Sequence, residues 1–472
     1  MKNIEDKLYP LLLTYKKSPQ FVKHIVGNIY SLLPKKTVYG NEYLNFVNLI
    51  EKAKNYTKEE ALNHQWIQIE KVLDIAYKTI PFYQNLYNEY NIKRKQIQNF
   101  DDFNKLPIIT KTDIKNNSDS MISAIYNNSK LKMNTGGSTG SPLEFYIHKG
   151  ITRPKERAFL DSYFSLLGYE RKYKAAVFRG DIVMGNNLYM YDPIKNDYVF
   201  SSYRINDFTI SQIVESLNKI KPVSLVGYPS VIYELANLIR NNSKLKLDFE
   251  IKSIILASEK LFHFQIALIE DVFHSKVYSY YGHSERLTLA YKCSDCDNYL
   301  LDSNYGYTEL VDKNNELIKV KNQVGRIIST GFDNFVMPLI RYDTNDESYY
   351  ANNFCTNCNT YDNKTILGGI EGRTGDYIIG SDGRKISITA IIFGQHLSEF
   401  KKITSFQLTQ NIVGHVEFTI VGDKLLSSIE ERNLIKKLVK CSDNTVNFQV
   451  NYVEKLIKTS SGKFKYLNQN IK

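Results

Sequence analysis

Residues 224–241 read SLVGYPSVIYELANLIRN, and residues 253–280 read SIILASEKLFHFQIALIEDVFHSKVYSY. Each segment begins with a short apolar run that is typical of a buried strand. Each then continues with apolar residues at the three- and four-residue spacing of a helix. A further apolar run at Lys276–Tyr280 completes a pattern of strands separated by helices. Such alternation predicts a layered α/β sheet.

The alternation extends on both sides of this stretch. A strand is predicted at Ala175–Phe178 and a helix at Ile210–Ile220, whereas the chain after Gly282 becomes rich in predicted strands. The last hundred or so residues predict a hairpin, a helix at Ile391–Ser398, two strands, a second helix and a final strand. We therefore predict an α/β protein, with a large multi-subdomain N-terminal domain of layered sheets at residues 1–372 and a small α+β C-terminal domain at residues 373–472.

The N-terminal part of the chain is predicted to be mostly helical. Thr57–Asn91 has helical periodicity, with Thr57 as the N-cap and Glu60 as its capping-box partner. A strand is expected at Met121–Tyr126, leading into a Gly-rich loop.

Composition narrows the class of protein. The chain has 472 residues, is 43% hydrophobic and carries a net charge of +11, with its basic residues scattered in short clusters. A dense basic stripe is typical of nucleic-acid proteins, so scattered lysines favour a solvated surface that attracts anionic ligands. No secretory signal is recognisable, and no apolar run approaches the ~18 residues that span a bilayer. We expect a cytoplasmic protein without stable membrane insertion, whose oligomeric state the sequence leaves open.

The Gly-rich loop is NTGGSTGSPL at Asn134–Leu143. Its glycines allow close backbone approach to a ligand, and consecutive N–H groups can form a concave site for an anion. It lacks the lysine of a Walker A loop and the G-x-G-x-x-G spacing of a dinucleotide site. Taken by itself, the stretch is also compatible with a flexible linker.

Five further stretches follow this loop in a characteristic order: ASEKL (257–261), SYYGHSE (279–285), MPLIRYDTND (337–346), GRTGD (372–376) and SSGK (460–463). Together they resemble the motifs of the adenylate-forming enzymes, above all phenylacetate–CoA ligases and the ligase-like proteins of capsular polysaccharide clusters. The resemblance implies two steps. A small carboxylic acid attacks the α-phosphate of Mg·ATP, which gives an acyl-adenylate and pyrophosphate. A thiol, such as that of CoA or a carrier protein, or an amine then displaces AMP.

The resemblance also implies roles for single residues. The loop residues would hold the departing pyrophosphate: Thr135, Gly136, Gly137, Ser138, Thr139 and Gly140. The nucleoside would be bound by residues of the later motifs: Ser258, Glu259, Tyr281 and Gly282 at adenine, Asp346 at ribose, and Arg373 at ribose or phosphate. Glu285 would bind Mg²⁺, and Lys463 would stabilise charge on the carboxylate and the α-phosphate.

Two parts of the pattern are less well defined. The acid pocket is expected around Phe178–Ile182, Gly227–Pro229 and Tyr280–His283. At the domain junction near Arg373–Asp376, Gly375 stands where the family usually has an acid, although a glycine can absorb the dihedral change of a hinge.

The cysteines form two C-x-x-C pairs, Cys293–Cys296 and Cys355–Cys358. Four thiolates from two such turns suit a tetrahedral structural Zn²⁺. Free thiols and redox chemistry are the alternatives. A basic zinc-ribbon protein that binds nucleic acid and a catalytically degenerate scaffold are the alternative functions, although Glu285, Asp346 and Lys463 are present and argue against the scaffold.

Overall fold

The computed structural model describes residues 3–11, 14–15, 18–134, 143–170, 173–179, 187–359, 364–373, 377–388, 403, 406–421, 426–442, 444–456 and 465–471. The Thr135–Gly140 segment, Asp376, the helix predicted at Ile391–Ser398, and Lys463 lie outside the described residues.

Helices dominate the first part of the chain, as predicted. Their bounds are Ile4–Leu8, Gln20–Leu32, Lys35–Tyr39, Asn41–Ala53, Lys58–Thr79, Pro81–Glu89, Phe100–Phe103 and Lys111–Asn116. The predicted capping box is present: Thr57 Oγ1 accepts the Glu60 N–H at 3.2 Å, and the Glu60 carboxylate accepts the Thr57 N–H at 2.8 Å. These paired caps satisfy backbone donors that the first helical turn leaves open, which fixes where the helix begins.

The prediction of a strand at Met121–Tyr126 is wrong. The backbone groups there bond to turns and to distant segments, since the Ser123 N–H donates to Val336 O at 2.8 Å and the Ala124 N–H to Thr79 O at 3.1 Å. The strand that leads to the Gly-rich loop is instead β1 (Lys130–Asn134), which pairs antiparallel with β2 (Glu144–His148). The apolar residues of the misassigned stretch contribute to the core without forming a ladder.

A large mixed sheet follows. Its strands are β3 (Ala175–Arg179), β4 (Tyr189–Asp192), β5 (Asp197–Ser201), β6 (Ser224–Gly227), β7 (Ser253–Ala257), β8 (Val277–Gly282), β9 (Leu289–Lys292), β10 (Tyr299–Leu301), β11 (Gly306–Val311), β12 (Gly325–Gly331), β13 (Tyr342–Tyr350) and β14 (Ile366–Arg373). Their order in the sheet is β11-β12-β13-β14-β10-β9-β8-β7-β6-β3-β5-β4. The parallel half, from β5 to β8, confirms the predicted α/β layering.

Helices Ile210–Ile220, Pro229–Arg240 and His263–Phe273 connect the parallel strands and cover them. Helix Thr152–Leu166 precedes β3, and the short helix Thr356–Asn359 lies between β13 and β14. Leu225, Ile254 and Leu256 are fully buried beneath them. Because parallel strands run in one direction, the carboxyl ends of β3, β6, β7 and β8 meet at one edge, which is where ligands bind in open α/β sheets.

The C-terminal unit is α+β, as predicted. A hairpin of β15 (Tyr377–Ile379) and β16 (Lys385–Ser387) precedes β17 (Phe406–Ile412), β18 (His415–Val421), the helix Ser428–Cys441, β19 (Asn447–Val453) and β20 (Leu467–Gln469). The last four strands form a sheet in the order β19-β18-β17-β20. Leu408, Phe418 and Leu434 are fully buried in its core. Among the helices of the described ranges, none combines the length and hydropathy needed to cross a bilayer.

Candidate active site

Tyr281 and Asp346 come from distant motifs and meet in the structure. The Tyr281 hydroxyl donates to Asp346 Oδ2 at 2.8 Å. Tyr281 lies on β8 and Asp346 on β13, and β9, β10 and β14 stand between these strands in the sheet. In a flat sheet the two strands would lie about 19 Å apart, at ~4.8 Å per strand, which is too far for this contact. The antiparallel half must therefore curl, and it does so around the buried residues Ala290, Ile327 and Leu367.

The Tyr281 hydroxyl remains protonated in this setting. Burial, followed by the nearby Asp346 carboxylate, raises the pKa of Tyr281 well above its ordinary value. The phenol thus acts as a hydrogen-bond donor that orients Asp346. In the β13–β14 register, Asp346 lies opposite Arg373, so the backbone brings together the two residues expected at the ribose.

Glu285 is held by two neighbours. Its Oε1 accepts the Tyr342 hydroxyl at 3.2 Å, and its Oε2 lies 3.2 Å from His283 Nδ1. Burial favours the neutral acid, but the hydrogen bonds from His283 and Tyr342 and the His283 charge outweigh it and lower the pKa of Glu285. The carboxylate stays ionised, so it offers the hard oxygen ligand that Mg²⁺ prefers.

His283 and Tyr281 complete this group. Their ring centroids are 6.3 Å apart, and the His283 and Glu285 side chains are 11% and 10% exposed. We call Tyr281, His283, Glu285 and Asp346 the motif cluster. The sequence analysis singled out Tyr281, Glu285 and Asp346, whereas His283 was included only in the range expected for the acid pocket. Its two-residue spacing from Glu285 was the signal that could have linked them.

A buried lysine supports the loop that carries Glu285. Lys155 is 1% exposed, and its Nζ donates to Arg286 O at 3.2 Å and to Tyr305 O at 3.1 Å. It also forms an ion pair with the buried Asp333. The Thr152–Leu166 helix thereby fixes the backbone next to Glu285. Nothing in the sequence distinguishes this lysine from the many solvated ones.

Ser258 and Glu259 lie at the carboxyl end of β7. Ser258 is exposed and has a left-handed backbone with φ of 73°. The Glu259 Oε2 accepts the Ser230 N–H at 3.0 Å, at the start of the Pro229–Arg240 helix. Gly282 ends β8 and pairs with Leu289. All three are on the strand edge predicted for the nucleotide, and their roles remain predictions.

Arg341, within the RYDTND motif, is buried and pairs with an acidic side chain. Its guanidinium Nε lies 2.6 Å from Glu309 Oε1, and both side chains are almost fully buried. Burial raises the pKa of Glu309 to about 7 although Arg341 opposes the shift. The pair fixes the segment leading into β13, which places Asp346 at its position on the strand.

The four motif cysteines converge, as the hypothesis of a metal site requires. Their sulfur atoms all lie within 4.8 Å of one another, and none forms a disulfide. The Cys293–Cys355 and Cys296–Cys358 sulfur pairs are 3.5 and 3.4 Å apart. A tetrahedron with Zn–S bonds of ~2.3 Å has sulfur–sulfur edges of about 3.8 Å, close to this range. The Cys358 N–H also donates to Cys355 Sγ and lowers the pKa of the Cys355 thiol to about 7.

Other predicted residues can be placed only through their neighbours. The loop Thr135–Gly140 joins β1 to β2, and Asn134 and Glu144 face each other at the ends of that hairpin. Arg373 is described by its backbone alone. Arg179, Tyr228 and Tyr280 lie near the ends of β3, β6 and β8, where the acid pocket is expected, and Arg179 was not singled out from the sequence.

Sequence comparison identifies known proteins that this chain is similar to. The model of the CapK C-terminal domain matches residues 378–470. Protein CapK of Staphylococcus aureus is 25% identical over 471 residues, which cover 97% of this chain and 99% of that protein.

Solved structures share the fold. A 2-hydroxyisobutyryl-CoA ligase in the postadenylation state, in complex with R3-HIB-AMP, matches with a TM-score of 0.67 at 18% identity, covering 87% of this chain and 89% of that one. An acyl acid amido synthetase in complex with 2,4-DB matches with a TM-score of 0.54 at 14% identity, covering 84% and 89%. The chain therefore has the fold of these ligases, and its residues 378–470 match the CapK C-terminal domain.

Proposed function

We propose that this protein activates a small carboxylic acid with Mg·ATP and then transfers the acyl group to a thiol or an amine. The observation that carries the proposal is the Tyr281–Asp346 hydrogen bond beside Glu285. It joins an aromatic face, a hydrogen-bond acceptor and an anionic metal ligand at the strand edge where α/β sheets bind ligands. Two motifs far apart in sequence meet there.

Each member of the motif cluster has a distinct task in this scheme. The Tyr281 ring offers a face for adenine, and Asp346, oriented by the Tyr281 hydroxyl, accepts the ribose hydroxyls. Glu285, kept ionised by His283 and Tyr342, holds Mg²⁺, which neutralises phosphate charge. The Thr135–Gly140 loop holds the β- and γ-phosphates with its backbone N–H groups.

The chemistry balances in two displacements. A carboxylate oxygen of the acid attacks the α-phosphorus, and the bond to pyrophosphate breaks. A thiol or amine then attacks the acyl carbon, loses its proton and expels AMP. Lys463 donates to the carboxylate and α-phosphate oxygens as negative charge develops, which is electrostatic stabilisation by a positioned cation.

The acceptor can be CoA, a carrier protein or an amine of a sugar or amino acid. A CoA ligase and an amido synthetase both have this fold, so the fold suits either acceptor. Likeness to Protein CapK supports a role in capsular or surface polysaccharide synthesis. We also propose that Cys293, Cys296, Cys355 and Cys358 hold a structural Zn²⁺ that joins the loop after β9 to the segment before β14.

Carboxylate-dependent ATP–pyrophosphate exchange across a panel of small acids tests the proposal. We expect exchange with at least one acid and its loss by ~10²-fold in Glu285→Gln, which keeps the shape but removes the charged metal ligand. Glu316→Gln, at an exposed turn, is the matched control and should retain full exchange. Absence of exchange with every acid, together with absence of ATP binding, would favour the scaffold.

A further inference from the structure

Arg179 stands at the carboxyl end of β3, where the acid pocket is expected. It shares a sheet face with Ala175 and Val177, because alternate residues of a strand point the same way. Those two residues pack into the same apolar cluster as Val226, Ile255 and Tyr280. The guanidinium therefore emerges at the edge of an apolar surface formed by β3, β6, β7 and β8.

Two tyrosines from nearby strands lie around this guanidinium. Tyr280 of β8 and Tyr228, directly after β6, are both close enough to interact with Arg179 electrostatically. The Tyr228 N–H donates to Phe178 O at 3.2 Å, which fixes the turn after β6 against the end of β3. The three residues lie near the carboxyl ends of β3, β6 and β8.

The charge of Arg179 is incompletely matched. Its Nε is buried without a hydrogen-bond partner, and no carboxylate of the described ranges lies in ion-pair contact with it. Asp197 is an acidic neighbour that interacts with it electrostatically. A guanidinium stays protonated, and a buried, partly unpaired charge is costly unless a ligand completes it.

We propose that Arg179 binds a second anionic group of the acid substrate, so that the enzyme selects small dicarboxylic acids over monocarboxylic ones. This inference rests on the proposed acid activation. Tyr280 and Tyr281 are successive residues of β8 and point to opposite faces. Arg179 contacts Tyr280, whereas the motif cluster includes Tyr281, so the guanidinium meets the substrate away from the nucleotide. The reacting carboxylate lies towards the motif cluster, and the second carboxylate lies at Arg179.

The test compares matched acids in the exchange assay: succinate with butyrate, glutarate with valerate, and isophthalate with m-toluate. We expect the wild-type protein to prefer the diacid of at least one pair by tenfold or more in kcat/KM. Arg179→Met should lower kcat/KM for the diacid by roughly 10- to 100-fold, the scale of one charged hydrogen bond, and so remove the preference. The loss should appear mainly in the KM of the diacid, and Arg179→Lys should restore part of it.

Arg204→Met is the matched control, since Arg204 is a partly buried arginine of the same region that donates to Asn187 O at 2.7 Å. Its diacid preference should equal that of the wild type. Melting temperature and Mg·ATP affinity report whether each variant folds and binds nucleotide. A wild-type protein that exchanges with monoacids as well as with diacids would overturn the inference and leave the proposed function intact. Equal losses for both acids in Arg179→Met would do the same. Absence of exchange with every acid of the wider panel, together with absence of ATP binding, would overturn the proposed function itself.

Discussion

The aromatic ring and the hydroxyl of Tyr281 have different proposed roles. The ring is proposed to face adenine, and the hydroxyl holds Asp346 at 2.8 Å. Tyr281→Phe removes only the hydrogen bond, which is worth ~1 kcal/mol, so we expect the KM for ATP to rise about fivefold. Tyr281→Ala also removes the ring and should raise it further. Initial rates of pyrophosphate exchange at varied ATP measure both. Identical KM values for the two variants would contradict the division of roles.

Glu309 is expected to make the free energy of unfolding depend on pH. Its pKa of about 7 in the folded chain exceeds its ordinary 4.5. The folded state thus keeps a proton that the unfolded state releases, so the stabilisation is complete below pH 4.5 and is lost as pH rises through 7. The shift corresponds to about 3 kcal/mol. Glu309→Gln should flatten the dependence of unfolding free energy on pH in this window, as measured by urea titration. An unchanged slope would refute the assignment.

Among the elements, those with local signals were predictable. The capping box of Thr57 and Glu60 predicts the start of the Lys58–Thr79 helix, and short apolar runs between helices predict the parallel strands. The C-x-x-C spacing likewise predicted that four sulfur atoms could meet. The strand at Met121–Tyr126 failed because its backbone bonds to Val336 and Thr79, which lie far away in sequence.

Residues of the candidate site could be proposed from the sequence where a motif contains them. Glu285 and Asp346 were proposed by resemblance, but Tyr342 and Lys155 contact the candidate site in ways that depend on the folded sheet. The curl of the sheet brings β8 close to β13 and depends on the order of the strands. No local sequence pattern specifies that order.

The cysteine cluster joins two elements that are 62 residues apart in sequence. We expect about one zinc per chain, measured by elemental analysis of protein purified without chelator. Cys293→Ser should lose the metal and lower the melting temperature, because a bound ion stabilises only the folded arrangement. Cys441→Ser is the control and should keep both zinc and stability. A zinc content far below one per chain would favour free thiols.

For the whole molecule, the proposed function requires a lysine from the small domain to act in the large one. Lys463→Ala should lower the exchange rate by at least ~10²-fold, as expected when one such positioned donor is lost. Lys465→Ala, two residues away, is the control for charge on the same segment and should be nearly unaffected. Near-wild-type exchange in Lys463→Ala would remove this residue from the mechanism.

Strand β14 lies between β13 and β10, although it is made after both. A nascent chain that ends before Ile366 already contains every member of the motif cluster, yet it presents two open strand edges and lacks the strand opposite Asp346. Open edges pair readily with other chains. During synthesis on the ribosome, the large sheet is thus vulnerable to aggregation until β14 emerges. Any truncation intended to isolate the large domain must retain residues 366–373.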